Sequence, residues 1–243
     1  NEVKTFSERI SIIVPAYNEE EAIGGTLDKL MDAKHTFPNL EICVINDGST
    51  DQTASIVRQR NVILLDLPHN LGIGGAVQTG YKYAYYHDFD IAVQFDADGQ
   101  HGETELVKII EPIVKNEADM VIGSRFVQKT AYKGSTIRRT GIFYFTGLLF
   151  LLTGKKYTDP TSGYRAKNKA VIKLFAFNYP RDYPEPEVII YLNRKQLHVK
   201  EVSVEMKDRQ GGTSSITPFK SIYYMVKVSI SVLMQRIKKG NAS

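Results

Sequence analysis

Two aspartates separated by one residue, Asp96 and Asp98, lie within Phe95-Asp96-Ala97-Asp98-Gly99-Gln100-His101, directly after the apolar run Ile91-Ala92-Val93. Carboxylates so spaced at the exit of a buried strand can hold a hard divalent cation, Mg²⁺ or Mn²⁺, that bridges phosphate oxygens. Asp-x-Asp-Gly is also ordinary turn chemistry, so the reading depends on its surroundings. Those surroundings are basic. Between Arg125 and Lys173 eleven basic residues stand against the single acid Asp159, a surplus of ten in a chain whose net charge is +4. The asymmetry points to an anionic partner beside this segment: nucleic acid, phospholipid headgroups or a phosphorylated substrate. A solvated basic face is the plainer alternative.

Several elements must position these residues. Ile10 to Val14 reads as a buried first strand closed by Pro15, and Asn18 with Glu21 as the capping box of the helix that follows. Leu40 to Ile45 reads as the second strand, with Ser49 and Gln52 as another capping box that leaves Asp47 at a second strand-to-helix turn. Asn61 to Leu65 is the third strand. Asn70 to Ala76 then forms a glycine loop around Gly72, leading into a helix through about His87. A fourth strand ends in the aspartate pair and a fifth runs from Asp119 to Gly123. Strands alternating with helices at this spacing predict an α/β, mostly parallel, doubly wound sheet. The carboxyl ends of its strands, where such sheets bind ligands, would collect Tyr17, Glu19, Asp47, Gly72, Asp96, Asp98 and Arg125. The glycine loop lacks the third glycine of a dinucleotide fingerprint and does not follow the first strand, which argues against an oxidoreductase.

The 243 residues suffice for one large domain, read here as 1–215, with an appended segment at 216–243. A lone Cys43 inside Ile42 to Ile45 is a buried thiol rather than a nucleophile. The polar stretch Asn1 to Arg9 carries no hydrophobic signal core, so the expected compartment is the cytoplasm. Gly141 to Thr153 is very apolar but far short of the roughly 20 residues of a spanning helix, and Arg138-Arg139 and Lys155-Lys156 bracket it. It reads as a core helix or one lying in the membrane interface. Glu185 to Arg194 reads as a helix and Val199 to Met206 as a strand. Arg209 to Ser215 is glycine- and hydroxyl-rich, as a loop would be. From Pro218 to Lys239, Phe219, Ile222, Tyr223, Val226, Ile230, Leu233 and Ile237 form one face of an amphipathic helix with a basic opposite side. That helix packs on its own domain, on a membrane surface or on a membrane protein.

Together these motifs resemble the family 2 glycosyltransferases of the GT-A fold, and among them the polyprenyl-phosphate sugar synthases. The resemblance covers about Ile10 to Ile216. It implies that Pro15, Tyr17, Glu19 and Asp47, with Gly72 nearby, hold a nucleotide diphosphate sugar, UDP-sugar being favoured. It implies Asp98 and Gln100 as metal ligands, with Asp96 beside the ribose or sugar and close to the ion. Arg125, Arg138 and Arg139 with Ser162 would clamp an acceptor phosphate. Asp159 would lie in the loop beside the reacting sugar, and Arg209 in a lid over the diphosphate. Asn46 replaces an aspartate common in the family. Many relatives continue into transmembrane helices, whereas here only the amphipathic segment follows.

A diphosphate leaving an anomeric carbon gathers negative charge, which a metal at Asp98 and the cation Arg209 can stabilise. A hydroxyl acceptor would need a general base, for which Asp159, Glu185 and Glu187 are candidates. A polyprenyl (undecaprenyl) phosphate brings its own anionic oxygen and needs charge compensation instead, which the basic segment supplies. Direct displacement inverts the anomeric centre. The expected reaction is transfer of a hexose, glucose or N-acetylglucosamine ahead of mannose, by an enzyme peripheral to the inner face of the cell membrane. Two rivals stand beside it: transfer to a polysaccharide or protein hydroxyl, and a catalytically silent sugar-nucleotide-binding module that recruits a membrane partner. No nucleic-acid recognition motif accompanies the basic residues, and a homo-oligomer is left open.

Overall fold

The computed structural model describes residues 6–97, 105–126, 136–181, 184–205, 223, 226, 227, 229 and 230, with the backbone alone at 136–139. Seven strands make one sheet in the order β3-β2-β1-β4-β6-β5-β7. They are β1 Ile10–Ala16, β2 Leu40–Asp47, β3 Ile63–Leu67, β4 Ile91–Gln94, β5 Met120–Ser124, β6 Arg165–Asn168 and β7 Val199–Ser203. All pairings are parallel except those of β6, which runs antiparallel to both β4 and β5. The mostly parallel sheet expected from the sequence is present.

Helices α1 Ile23–Asp32, α2 Thr53–Arg58 and α4 Leu106–Val114 cover one face of the sheet. Helices α3 Gly72–Tyr86, α5 Thr136–Thr153, α6 Lys169–Phe177 and α7 Pro184–Arg194 cover the other. Alternation along the strands divides the core. Ile10, Ile12 and Val14 pack toward α1 and α4, whereas Ile13, Cys43 and Ile45 pack toward α3 and α6. Burial pushes the Cys43 thiol up to about 12, which leaves it protonated and inert.

Three local expectations are corrected. β1 does not stop at Pro15 but runs through it to Ala16. Ile10 N–H reaches Asn39 O, and Phe95 N–H reaches Ile13 O, so alternation turns the Pro15 nitrogen toward β4, past the last register pair Ile13/Gln94. Its missing N–H therefore costs no ladder bond. Neither capping box forms, because α1 begins at Ile23 and α2 at Thr53. Asn18 and Ser49 instead bond across to each other's loops.

The basic segment does not form a single basic face. Arg125, Arg165 and Lys167 are buried, Lys169 pairs with Asp88 at 2.9 Å, and Lys155, Lys156 and Lys173 are exposed. Lys129 and Lys133 lie outside the described residues. The physical reason is β6. The short polar sequence Arg165-Ala166-Lys167-Asn168 carries no hydrophobic pattern, yet it fills a central place in the sheet and takes two of the cations inside with it.

Candidate active site

The loops after β1 and β2 are laced together at the carboxyl edge of the sheet. Asn18 N–H donates to Ser49 Oγ at 2.9 Å, and Thr50 N–H donates to Asn18 Oδ1 at 2.9 Å. Glu19 N–H reaches Thr53 Oγ1 at 3.0 Å, Glu20 N–H reaches Asp51 Oδ2 at 3.2 Å, and Gln52 N–H reaches Glu20 Oε2 at 3.0 Å. Each loop thus satisfies the backbone donors of the other, which a cap within one helix cannot do. Asn18 adopts a left-handed backbone, φ 52°, a conformation asparagine tolerates better than most residues. On this frame Tyr17 is exposed and Glu19 half-buried.

Asp47, at the end of β2, is buried and its Oδ1 accepts Leu71 N–H at 2.7 Å. Burial pushes its carboxyl above the usual range, while the backbone donors of Leu71 and Gly72 pull the other way. Asn70 Nδ2 donates to Asp47 O at 3.1 Å, so Asp47 fixes the glycine loop that opens α3 at Gly72. Asn46, where a relative would carry aspartate, donates Nδ2 to Asp66 at 2.7 Å. An aspartate there would face a second carboxylate.

Asp96 leaves β4 half-buried at the same edge. Gly163 lies directly against it: a Cβ on that glycine would stand 3.1 Å from Asp96 Oδ2 and 3.2 Å from Gln94 Nε2. Asp98, Gln100 and Arg209 lie outside the described residues, as do the side chains of Arg138 and Arg139. The structure therefore places Asp96 but not its expected metal-binding partners.

Arg125 and Asp159, expected at the acceptor phosphate and beside the sugar, face each other. Arg125 Nε donates to Asp159 Oδ2 and Nη2 to Oδ1, both at 2.6 Å, with Arg125 N–H on Oδ2 at 3.2 Å. Their side chains are 2% and 0% exposed. This is a bidentate buried pair, so the Arg125 guanidinium is turned inward onto Asp159. Ser162, also expected at the phosphate, is buried and donates its hydroxyl to Gly123 O at 2.7 Å. Pro15 is a buried member of β1.

Sequence reasoning passed over three residues below this edge. Arg165 donates to three backbone carbonyls, those of Pro160, Ser162 and Glu185. Glu201 on β7 accepts from Thr158 and Asp159. Lys167 is buried, with Nζ 5.2 Å from the Tyr81 ring centroid. No spacing marks them: Glu201 meets Thr158 and Asp159, Lys167 meets Tyr81 and Arg165 meets Glu185 only through the fold, and the nearer partners of Arg165 are backbone carbonyls, which carry no sequence signature. The half-buried Glu185 carboxyl is pushed up by burial, opposed by the Arg165 cation.

Residues 11–175 match the family model of Glycosyl transferase family 2, which spans more than half of the chain. The chain belongs to this family. The glycosyltransferase is 34% identical over 230 residues to an uncharacterized protein of Methanocaldococcus jannaschii, covering 92% of this chain and 93% of that one. It is 30% identical over 249 residues to the UDP-N-acetylglucosamine–dolichyl-phosphate N-acetylglucosaminyltransferase of Methanococcus voltae, covering 93% of this chain and 98% of that one. Its fold matches the crystal structure of glucosyl-3-phosphoglycerate synthase from Mycobacterium tuberculosis in complex with Mn²⁺, uridine diphosphate and phosphoglyceric acid. That match has a TM-score of 0.70 at 19% identity, covering 95% of this chain and 78% of that one. The sheet is accordingly the GT-A arrangement that the sequence motifs implied.

Proposed function

We propose that this glycosyltransferase moves a hexose from a nucleoside diphosphate sugar to a polyprenyl phosphate, inverting the anomeric centre. The observation that carries the reading is the state of Asp159. A hydroxyl acceptor needs a base within reach of its proton, and the candidate nearest the expected sugar position has both oxygens held by Arg125. A lipid phosphate supplies an oxygen already anionic and needs no such base. The near full-length similarity to the Methanococcus voltae enzyme supports the same acceptor class, a UDP-sugar donor and N-acetylglucosamine as the first sugar to try, with glucose next and mannose after it. Transfer to a hydroxyl is the second reading, favoured by Glu185, whose raised carboxyl suits a general base.

In this reading Tyr17, Glu19 and Asp47 hold the nucleotide, and Asp96, Asp98 and Gln100 hold Mg²⁺ or Mn²⁺. The donor set fits, since carboxylate and amide oxygens are hard ligands, and glycine at 163 leaves room for the Asp96 carboxylate. A bound divalent ion would offset the charge that develops on the departing diphosphate. Arg209 adds a cation at the same place. With Arg125 directed at Asp159, the acceptor phosphate falls to Arg138 and Arg139, and Arg125 with Asp159 holds the loop beneath the sugar. Residues 216–243, together with α5, bring the enzyme to the cytoplasmic membrane surface.

The test is incubation with a panel of nucleotide sugars and a short polyprenyl phosphate. The expected result is consumption of a UDP-hexose only when lipid phosphate and a divalent metal are both present, with activity lost on chelation. Asp98→Asn should cost about 10²-fold or more in rate. Transfer to a water-soluble hydroxyl without use of the lipid would reject the acceptor assignment.

A further inference from the structure

The segment 158–163 is held from three neighbouring strands. From β7, Glu201 accepts Thr158 N–H at 2.8 Å, the Thr158 hydroxyl at 3.0 Å and Asp159 N–H at 2.9 Å. From the end of β5, Arg125 grips the Asp159 carboxylate. From β6, Arg165 sends Nε to Ser162 O at 2.7 Å, Nη2 to Pro160 O at 2.8 Å and Nη1 to Glu185 O at 2.7 Å. The last bond reaches Glu185 in the first turn of α7, so one guanidinium joins the loop to a helical residue 20 positions beyond Arg165. The segment ends at Gly163, against the carboxylate of Asp96 and the amide of Gln94.

A buried guanidinium is an expensive way to hold a loop, and apolar side chains of similar volume often stabilise a core as well or better. What a planar fork provides and an apolar group cannot is a fixed direction to several acceptors at once. Here the acceptors belong to two segments, the loop 160–162 that leads into Gly163 beside Asp96 and the first turn of α7. We propose that Arg165 is a positioning residue for sugar transfer: it sets the height of the 158–163 loop, and through Gly163 the placement of the Asp96 carboxylate. Glu201 performs the same task at the other end of the loop. The inference rests on reading Asp96 as a site carboxylate.

Arg165→Lys keeps the charge but cannot reach three carbonyls in one plane. Misplacement near 1 Å can cost about 10²-fold in rate, so kcat should fall on that order while the UDP dissociation constant stays within roughly threefold. Glu201→Gln, which retains shape but loses the carboxylate, should show the same split. A role in stability alone would lower the melting temperature without separating kcat from nucleotide affinity. The inference is overturned if folded Arg165→Lys and Glu201→Gln retain kcat within threefold, if UDP binding weakens as much as kcat, or if neither variant folds. Asp96→Asn is the companion: full activity there would reject the site reading itself, whereas an inactive Asp96→Asn beside a fully active Arg165→Lys would reject only the positioning role.

Discussion

At the scale of single residues, the groups whose surroundings differ most from expectation are the cations of β6. Lys167 lies buried with Nζ 3.2 Å from Arg165 O and over the Tyr81 ring. Burial and the neighbouring Arg165 hold its ammonium well below the ordinary lysine range, with Glu185 and Asp96 opposing. Between that lowered value and the ordinary one near about 10.4, the unfolded chain binds the proton that the folded one has shed, so folding stability rises with pH across that window. Lys167→Met should remove the rise and leave the protein at least as stable at neutral pH. Thermal unfolding at neutral and alkaline pH checks this. A variant that melts lower at neutral pH and keeps the alkaline increase would show that the ammonium is not the cause.

At the scale of elements, the packing of α3 depends on what its glycines leave out. Gly74 donates N–H to Arg181 O at 3.2 Å, and a Cβ at that position would stand 2.2 Å from the same oxygen and 2.4 Å from Pro180 O. Both obstacles are backbone, so the clash cannot be relieved by a rotamer change. Gly74→Ala should force α3 and the 180–181 segment apart and cost about 1–3 kcal/mol, measured by denaturant unfolding, with a wild-type midpoint counting against this contact. The helix starts show the same dependence on distant partners. Asn18 and Ser49 have the composition of caps, but two loops brought side by side at the ends of β1 and β2 give their side chains better partners across the gap. Only the sheet order creates that gap.

At the scale of the whole molecule, the proposed lipid acceptor raises the matter of how the chain would reach a membrane surface. Among the described residues no helix is long and apolar enough to cross a membrane. α5 buries Ile142, Phe145 and Leu149, while Phe143 and Leu151 are 71% and 73% exposed. Tyr144 hydrogen-bonds Ser229, and Tyr223, Val226 and Ile230 are exposed too. With Lys155, Lys156 and Lys227 exposed nearby, vesicles containing anionic lipid should float the intact chain, and salt should release it, each basic side chain contributing on the order of 1 kcal/mol. A chain ending at Ser215 should float less. Equal flotation of both would assign attachment to α5, and flotation of neither would make this face a protein-docking surface. The sequence by itself determined the alternating α/β order, the edge that gathers Tyr17, Asp47 and Asp96, and the family. Those rest on local apolar runs and short motifs, which chain order records directly. Only the tertiary structure decided that Arg125 belongs to Asp159, that Ser162 is buried, and that Arg165 and Lys167 lie inside. β6 has no hydrophobic period to announce it, and it is a central strand because β4 and β5 leave a place between them. A charge on such a strand is counted with the surface until the sheet closes over it.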